Sequence, residues 1–148
     1  MVQVTNTSKV APTIIDARGP RFGAVITTIV LATALATNNV WVIVAQALVF
    51  AIGAFKGPQF TPYAFIFKTL VKPRLKKPGA TEDVRPPQFA QTVGLLFALT
   101  AAAGSFAGLD VVFTIAVAFA LAAAFLNAAF NFCLGCEIYL LLLRARSK

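Results

Sequence analysis

Residues 111–130 read VVFTIAVAFALAAAFLNAAF, and the apolar run that they begin continues to Leu143. The run is interrupted by two asparagines, the two cysteines of the chain and a glutamate, at Asn127, Asn131, Cys133, Cys136 and Glu137. A membrane-spanning helix needs about 17–25 apolar residues, and this run is longer than that. Because the hydrocarbon core offers backbone groups no partners but one another, the run is predicted to be helical and to cross a bilayer.

The rest of the chain contains three further apolar stretches, over about residues 22–37, 40–55 and 89–104. The 148 residues are 59% hydrophobic and 12% charged, whereas a soluble domain is about 25% charged. A domain this small cannot bury so much apolar surface by itself. No ten-residue segment alternates polar and apolar residues as a membrane β-barrel requires. The sequence therefore predicts an all-α membrane protein with four transmembrane helices.

The positive charges predict the topology. All 13 Lys and Arg residues fall in the N-terminal tail, the central loop or the C-terminal tail, and positive residues accumulate on the cytoplasmic side. We therefore expect a multi-pass protein of the plasma (bacterial inner) membrane with both termini cytoplasmic. The basic loop is too short for a nucleic-acid interface, and anionic lipid head groups are its expected partner. The predicted segments are a cytoplasmic tail (1–20), hairpin 1 (21–56), a cytoplasmic loop (57–87), hairpin 2 (88–143) and a basic tail (144–148).

An internal repeat introduces the two hairpins. Residues 18–22 (RGPRF) and 85–89 (RPPQF) both read R-x-P-x-F directly before an apolar run. This pattern predicts two hairpins of the same orientation, a parallel repeat about an axis along the membrane normal. The alternative is that any helix entering from the cytoplasm has such a start. Between the hairpins, the aromatic residues and lysines after Pro62 predict an interfacial helix, while proline-rich segments before both hairpins predict irregular structure.

The candidate chemistry of the chain rests on Cys133-Leu134-Gly135-Cys136. Histidine is absent, which removes the commonest metal ligand and general base, so no metal site and no cofactor are predicted for a single chain. On a continuous helix the two thiols share a face. In soluble oxidoreductases a C-x-x-C motif opens a helix, whose N–H groups stabilise the first thiolate. Here the motif lies deep in a helical pattern. The same stabilisation of a thiolate would therefore require a helix break at residues 131–135.

The depth of the cysteines limits their roles. One helix from Asp110 to Arg144 would measure about 50 Å, against a hydrocarbon core of about 30 Å. Asn131 and Glu137 are costly deep in lipid, so the cysteines are expected near the cytoplasmic interface. A permanent disulfide is not expected in that reducing compartment. A cycling dithiol, a persulfide-carrying thiol and a metal shared with another copy remain, beside the chance pairing of two small apolar residues.

Other polar residues could assist the cysteines. Arg18, Arg21 and Arg85 begin helices on the same side and could stabilise a thiolate or an anionic substrate. Glu137 is a functional candidate because ionisable groups within membranes are costly, and its alternative is an ion pair with an arginine. Asn127 and Asn131 are predicted to form polar contacts between helices, with a polar substrate path as the alternative.

Four segments resemble a family of small bacterial integral membrane proteins catalogued only as a domain of unknown function. They are RGPRF (18–22), TPYAFIFKTLVKPRL (61–75), RPPQFAQTVG (85–94) and FCLGCEIY (132–139). Members of that family are often encoded near thioredoxin-like and rhodanese-type proteins, so the resemblance implies thiol or sulfur handling at the membrane. The matching motif positions are Arg18, Arg21, Arg85, Gln88, Gln91, Cys133, Cys136 and Tyr139.

These observations predict a membrane-embedded dithiol module for thiol redox or sulfur transfer. Cys133 and Cys136 would exchange electrons or sulfur with a cytoplasmic thioredoxin-like or rhodanese-type partner. One alternative is a non-catalytic accessory subunit of a larger membrane complex, which docks through its alanine-rich faces. Another is a carrier of a small sulfur compound, whose path Asn127, Asn131 and Glu137 would line.

Overall fold

The structure is a computed structural model that describes residues 14–75 and 81–146. Most of the predicted N-terminal tail and part of the basic C-terminal tail lie outside these residues. Within the described residues, two short strands and six α-helices follow one another. They are β1 (Ile14–Asp16), α1 (Arg18–Thr37), α2 (Val40–Phe55), α3 (Pro62–Ile66), β2 (Thr81–Asp83), α4 (Arg85–Phe106), α5 (Asp110–Phe130) and α6 (Leu134–Arg146). A 3₁₀ turn (Pro58–Phe60) precedes α3, and a π turn (Phe67–Val71) and a 3₁₀ turn (Lys72–Arg74) continue it.

The helices confirm an all-α membrane protein. Three of them, α1, α4 and α5, are long and apolar enough to cross a membrane, while α2 is apolar but shorter, with 16 residues. The most extensive helix contacts join α2 to α4 and α1 to α5. Leu31, Ile43 and Phe113 are at most 1% exposed in the core between them. Alanines occupy many of the contact positions, and small residues let helices approach closely where packing holds them together.

Within the described residues, a three-residue strand precedes each hairpin, where irregular structure was predicted. β1 and β2 pair antiparallel, with Ile14 opposite Asp83 and Asp16 opposite Thr81. Each strand ends in an aspartate that accepts the backbone N–H of the arginine two residues later, from Arg18 at 2.9 Å and from Arg85 at 2.8 Å. The carboxylates thus satisfy N–H groups that a helix start leaves free. The strand pair brings the beginnings of α1 and α4 to the same end of the bundle, which we term the entry end.

The long apolar run at 111–143 is two helices, although its pattern favoured one continuous helix. α5 ends at Asn131, which adopts the left-handed conformation with φ 55°. Its N–H donates to the carbonyl of Asn127, and that of Phe132 donates to the carbonyl of Leu126. Asparagine is one of the few residues besides glycine that tolerates this conformation at a helix end. Asn38, with φ 54°, ends α1 in the same way.

The aromatic segment of the central loop is helical, as predicted, but it packs against α1. Phe67 is 4% exposed, and its ring lies 5.7 Å from that of Phe22. The outward side of the segment carries exposed apolar side chains, including Phe65 and Leu70. Its position at a lipid interface stays a prediction.

Candidate functional site

The two cysteines lie at the start of α6. They are joined in a disulfide with their Cα atoms 5.1 Å apart. The backbone N–H of Cys136 donates to Cys133 Sγ at 3.2 Å. Because α5 ends at Asn131, the C-x-x-C motif opens a helix, which is the arrangement whose N–H groups stabilise a thiolate.

Gly135 allows this motif to pack directly against α4. A Cβ at position 135 would lie 2.7 Å from both the Cα and the Cβ of Ala90. That separation is too short for any side chain, so glycine lets the two helix backbones touch. One turn further along α6, the ring of Tyr139 lies 5.5 Å from that of Phe89. Since Ala90 is five residues after Arg85, the motif lies about 7 Å inside the start of α4, at about 1.5 Å per residue.

The three predicted arginines have different partners. Arg18 donates from Nε and Nη2 to the carboxylate of Asp16, at 3.0 and 2.8 Å. Arg85 forms the equivalent ion pair with Asp83. Arg21 donates from Nε to the carbonyl oxygen of Ala128, in the last turn of α5, at 3.2 Å. Of the three, Arg21 therefore binds the helix end that leads to Cys133.

The aspartates were missed as partners of these arginines. The Arg18 side chain holds the pKa of the Asp16 carboxyl at about 2, with smaller contributions from the Arg18 backbone N–H and from Lys72. The Lys72 ammonium lies 3.5 Å from Asp16. Arg85 lowers the pKa of Asp83 in the same manner. The sequence signal was available, because both copies of the repeat read D-x-R-x-P-x-F.

The remaining predicted polar residues lie at different positions around the motif. Asn131 is exposed and ends α5, while Asn127 lines a cavity beside Cys133. Glu137 is exposed in the first turn of α6, where a carboxylate interacts favourably with the helix dipole. Its backbone N–H donates to the carbonyl of Cys133 at 3.0 Å.

Two adjoining cavities lie at this end of the bundle. One, of about 240 Å³, is lined by Cys133, Gly135 and residues of α1, α4 and α5. The other, of about 280 Å³, is lined mainly by residues of β1, α1 and the segment around α3. Both are lined by Pro20, Gly23 and Gln91. The sequence did not predict these cavities, because each is lined by residues that are distant from one another in the chain.

The segment after α2 reproduces the geometry of the motif without cysteines. Thr61 precedes α3, and its Oγ1 accepts the backbone N–H of Ala64 at 3.2 Å. Just as Gly135 lies on Ala90, Tyr63 lies on α1 at Gly23, where an added Cβ would be 3.8 Å from Tyr63 Cβ. Tyr63 also donates its hydroxyl hydrogen to Gln46 Oε1 at 2.6 Å, and burial raises the pKa of this phenol.

Within residues 14–75 and 81–146, no group of three or more His, Cys, Asp and Glu side chains could hold a metal ion. The described site contains two sulfurs, amide groups, hydroxyls and ion pairs.

The sequence profile of the family Domain of unknown function (DUF4395) matches residues 15–144. The chain belongs to the DUF4395 family. The matched part of this DUF4395 protein includes both R-x-P-x-F segments, the cysteine motif and most of α6. No curated protein and no solved structure matches the chain.

Proposed function

We propose that this DUF4395 protein is a membrane-embedded dithiol module that exchanges electrons or sulfur with a cytoplasmic thioredoxin-like or rhodanese-type protein. One observation carries the proposal: the cysteine pair opens α6, and Cys133 Sγ accepts the N–H of Cys136. A thiolate at Cys133 would receive the same hydrogen bond and the positive end of the helix dipole.

The exchange needs only the two sulfurs and the partner. In the dithiol state, the Cys133 thiolate attacks one sulfur of a partner disulfide, and the other partner sulfur leaves as a thiolate. Cys136 then attacks Cys133 Sγ, which restores the disulfide and releases the reduced partner. The reverse sequence reduces the pair. The Cys133–Cys136 disulfide would be the oxidised state of this cycle.

The proposed topology has four spans, α1, α2, α4 and α5, with both termini and the central loop on the cytoplasmic side of the plasma membrane. The positive residues support this orientation. The strand pair supports it as well, because it brings the starts of α1 and α4 to one end. The α2 helix, with 16 residues, needs a flanking turn to span the hydrocarbon core.

A parallel duplication underlies this topology. Strand, two long helices and a short helix occur twice in the same order. The ring contact of Phe22 with Phe67 has its counterpart in that of Phe89 with Tyr139, at 5.7 and 5.5 Å. Phe22 and Phe89 end the two R-x-P-x-F segments. In this alignment Cys133 stands where Thr61 stands in the first copy, so the two residues occupy equivalent helix starts.

Thiol labelling in membranes tests the function and the sidedness together. In intact cells, a membrane-impermeant maleimide should leave Cys133 and Cys136 unlabelled, whereas inverted vesicles should become labelled after reduction. Oxidant should protect both cysteines at once. An Ala107→Cys variant of the cysteine-free chain is the control, because this exposed position between α4 and α5 should label from outside.

The proposal would be overturned if neither cysteine responded to oxidant or reductant. It would also be overturned if cells with the Cys133→Ala, Cys136→Ala variant had the same ratio of thiols to disulfides as wild-type cells. Co-purification of that variant with a large membrane complex would then favour the accessory-subunit function.

A further inference from the structure

The cavity of about 240 Å³ extends from the cysteine motif into the membrane part of the bundle. Cys133 lies at its near end, and Phe97 and Phe119 line its far end with their rings 6.3 Å apart. Phe97 is twelve residues into α4, or about 18 Å from the entry end at about 1.5 Å per residue. A ligand in this cavity would therefore lie beside Cys133 at one end and reach the apolar interior at the other.

The walls of this cavity suit a flat ring with few polar atoms. Phenylalanines and small residues form most of the surface. A dry cavity of about 150 Å³ already accepts a benzene ring, so the volume here accommodates one substituted six-membered ring. A polar metabolite would lose too many of its hydrogen bonds to water in such surroundings.

Gln91 supplies an unpaired hydrogen-bond acceptor at the cavity wall. Its Oε1 is buried and has no partner among the described residues. This amide packs against α2 at Gly53, where an added Cβ would lie 2.7 Å from Gln91 Cδ. A buried acceptor without a donor is costly, and a ligand hydroxyl would satisfy it. Thr27 and Asn127, which also line the cavity, could donate to a ligand carbonyl.

We propose that this cavity binds the ring of a lipid-soluble quinone, which accepts electrons from the Cys133–Cys136 dithiol. The inference rests on the proposed dithiol function and adds its second substrate. A quinone accepts two electrons, carries carbonyl oxygens that become hydroxyl donors on reduction, and reaches the site from the bilayer. Electrons would thus pass from a cytoplasmic dithiol partner through the cysteines to the quinone pool.

The reaction balances without any further reagent. The two thiols lose two electrons and two protons and form one S–S bond. The quinone gains both electrons and both protons, and its two carbonyl oxygens become hydroxyls. One dithiol and one quinone give one disulfide and one quinol.

The test uses the full chain in lipid nanodiscs. The protein is reduced, freed of reductant under anaerobic conditions and mixed with a short-chain ubiquinone whose ring is fully substituted, so that thiols cannot add to it. We expect one quinol per disulfide formed, followed by quinol absorbance and by the mass shift of maleimide-labelled thiols. Thiol–disulfide exchange with a thioredoxin is measured separately on the same sample.

Two leucine substitutions on α5 provide the matched comparison. Ala123 lines the cavity, whereas Ala122 is exposed on the outer face of the helix. Ala123→Leu should slow oxidation by the quinone about tenfold or more, because the added methyl groups fill the ring site. It should leave exchange with thioredoxin unchanged, and Ala122→Leu should change neither rate.

The outcomes separate the two proposals. Exchange with thioredoxin without oxidation by the quinone overturns the quinone inference and leaves the dithiol function standing. Failure of both reactions overturns both proposals. Equal quinone rates in the two leucine variants would show that the ring binds elsewhere.

Discussion

Cys133 and Thr61 perform the same structural task in the two halves of the chain. Each side chain stands just before a short helix and accepts the backbone N–H three residues later, at 3.2 Å in both cases. A sulfur in the second half replaces a hydroxyl oxygen in the first. The redox pair is thus built on a helix cap, and the first half offers a place to build a second pair.

Such a second pair is the first prediction. In a chain with Cys133→Ala and Cys136→Ala, the substitutions Thr61→Cys and Ala64→Cys should give an internal disulfide, because the cap geometry already brings these positions together. Mass spectrometry after maleimide labelling would detect it. Phe65→Cys with Lys68→Cys has the same spacing inside the helical segment and should form the bond much less readily.

The second prediction concerns which cysteine reacts. Cys133 in the Cys136→Ala variant should be alkylated by iodoacetamide about tenfold faster at neutral pH than Cys136 in the Cys133→Ala variant. The reason is that the backbone N–H of residue 136, in the first turn of α6, donates to the Cys133 sulfur and would stabilise its thiolate. Equal rates would remove the helix start from the mechanism. Denatured samples of both variants provide the reference rates.

The third prediction concerns the residue that separates α5 from α6. Asn131→Ala should lower the free energy of unfolding by about 1–2 kcal/mol, because a Cβ without a polar group disfavours the left-handed conformation. Asn131→Gly should retain or improve wild-type stability, since glycine adopts positive φ freely. Unfolding in detergent, monitored by circular dichroism, would measure both. If alanine and glycine behaved alike, the turn would not depend on this backbone conformation.

The fourth prediction concerns the contact of α6 with α4. Gly135→Ala should cost about 1–3 kcal/mol, because the new methyl group would meet the backbone of Ala90 and force the helices apart. Gly19→Ala is the matched control, since its Cβ would lie 3.7 Å from the Phe67 ring, an ordinary contact. Thermal unfolding measures the loss, and slower disulfide formation in Gly135→Ala would show that the displacement reaches the cysteines. Equal stability of the two variants would contradict the contact.

The fifth prediction follows from the ion pair at the start of α1. The pKa of Asp16 is lowered from 3.8 to about 2, so its stabilising contribution is complete above about pH 4 and disappears as the pH falls toward 2. The unfolding temperature of the wild type should fall more steeply across this range than that of Asp16→Asn. Above about pH 5, Asp16→Asn should be less stable by about 1.5–3 kcal/mol. Asp110→Asn, which changes an exposed carboxylate, should have a smaller effect, and parallel pH curves for Asp16→Asn and wild type would contradict the assignment.

The helices were predictable because lipid leaves the backbone few alternatives. The apolar stretches at about 22–37, 40–55 and 89–104 coincide with most of α1, α2 and α4. The length of an apolar stretch is enough to predict a membrane-spanning helix. The two strands were not predictable in the same way, because three residues are too few to show an alternating pattern.

The break at Asn131 shows the limit of pattern reading more clearly. Asparagine occurs both within membrane helices and at their ends, so the residue type leaves the choice open. Here the docking of Gly135 on Ala90 favours the turn, and that contact joins helices distant in sequence. The cysteine pair could be singled out from its spacing, but its place at a helix start and beside a cavity required the tertiary structure.

The strand pair also has a consequence for the order in which parts of the molecule can form during synthesis. Residues Ile14–Asp16 leave the ribosome before the first hairpin, whereas their partners Thr81–Asp83 follow the whole of the central loop. Domains and hairpins form as the chain is synthesised, beginning at the N-terminus. The first hairpin can therefore insert while its leading strand still lacks a partner. The part of the described chain that is made first therefore waits for its partner strand until the whole central loop has been synthesised.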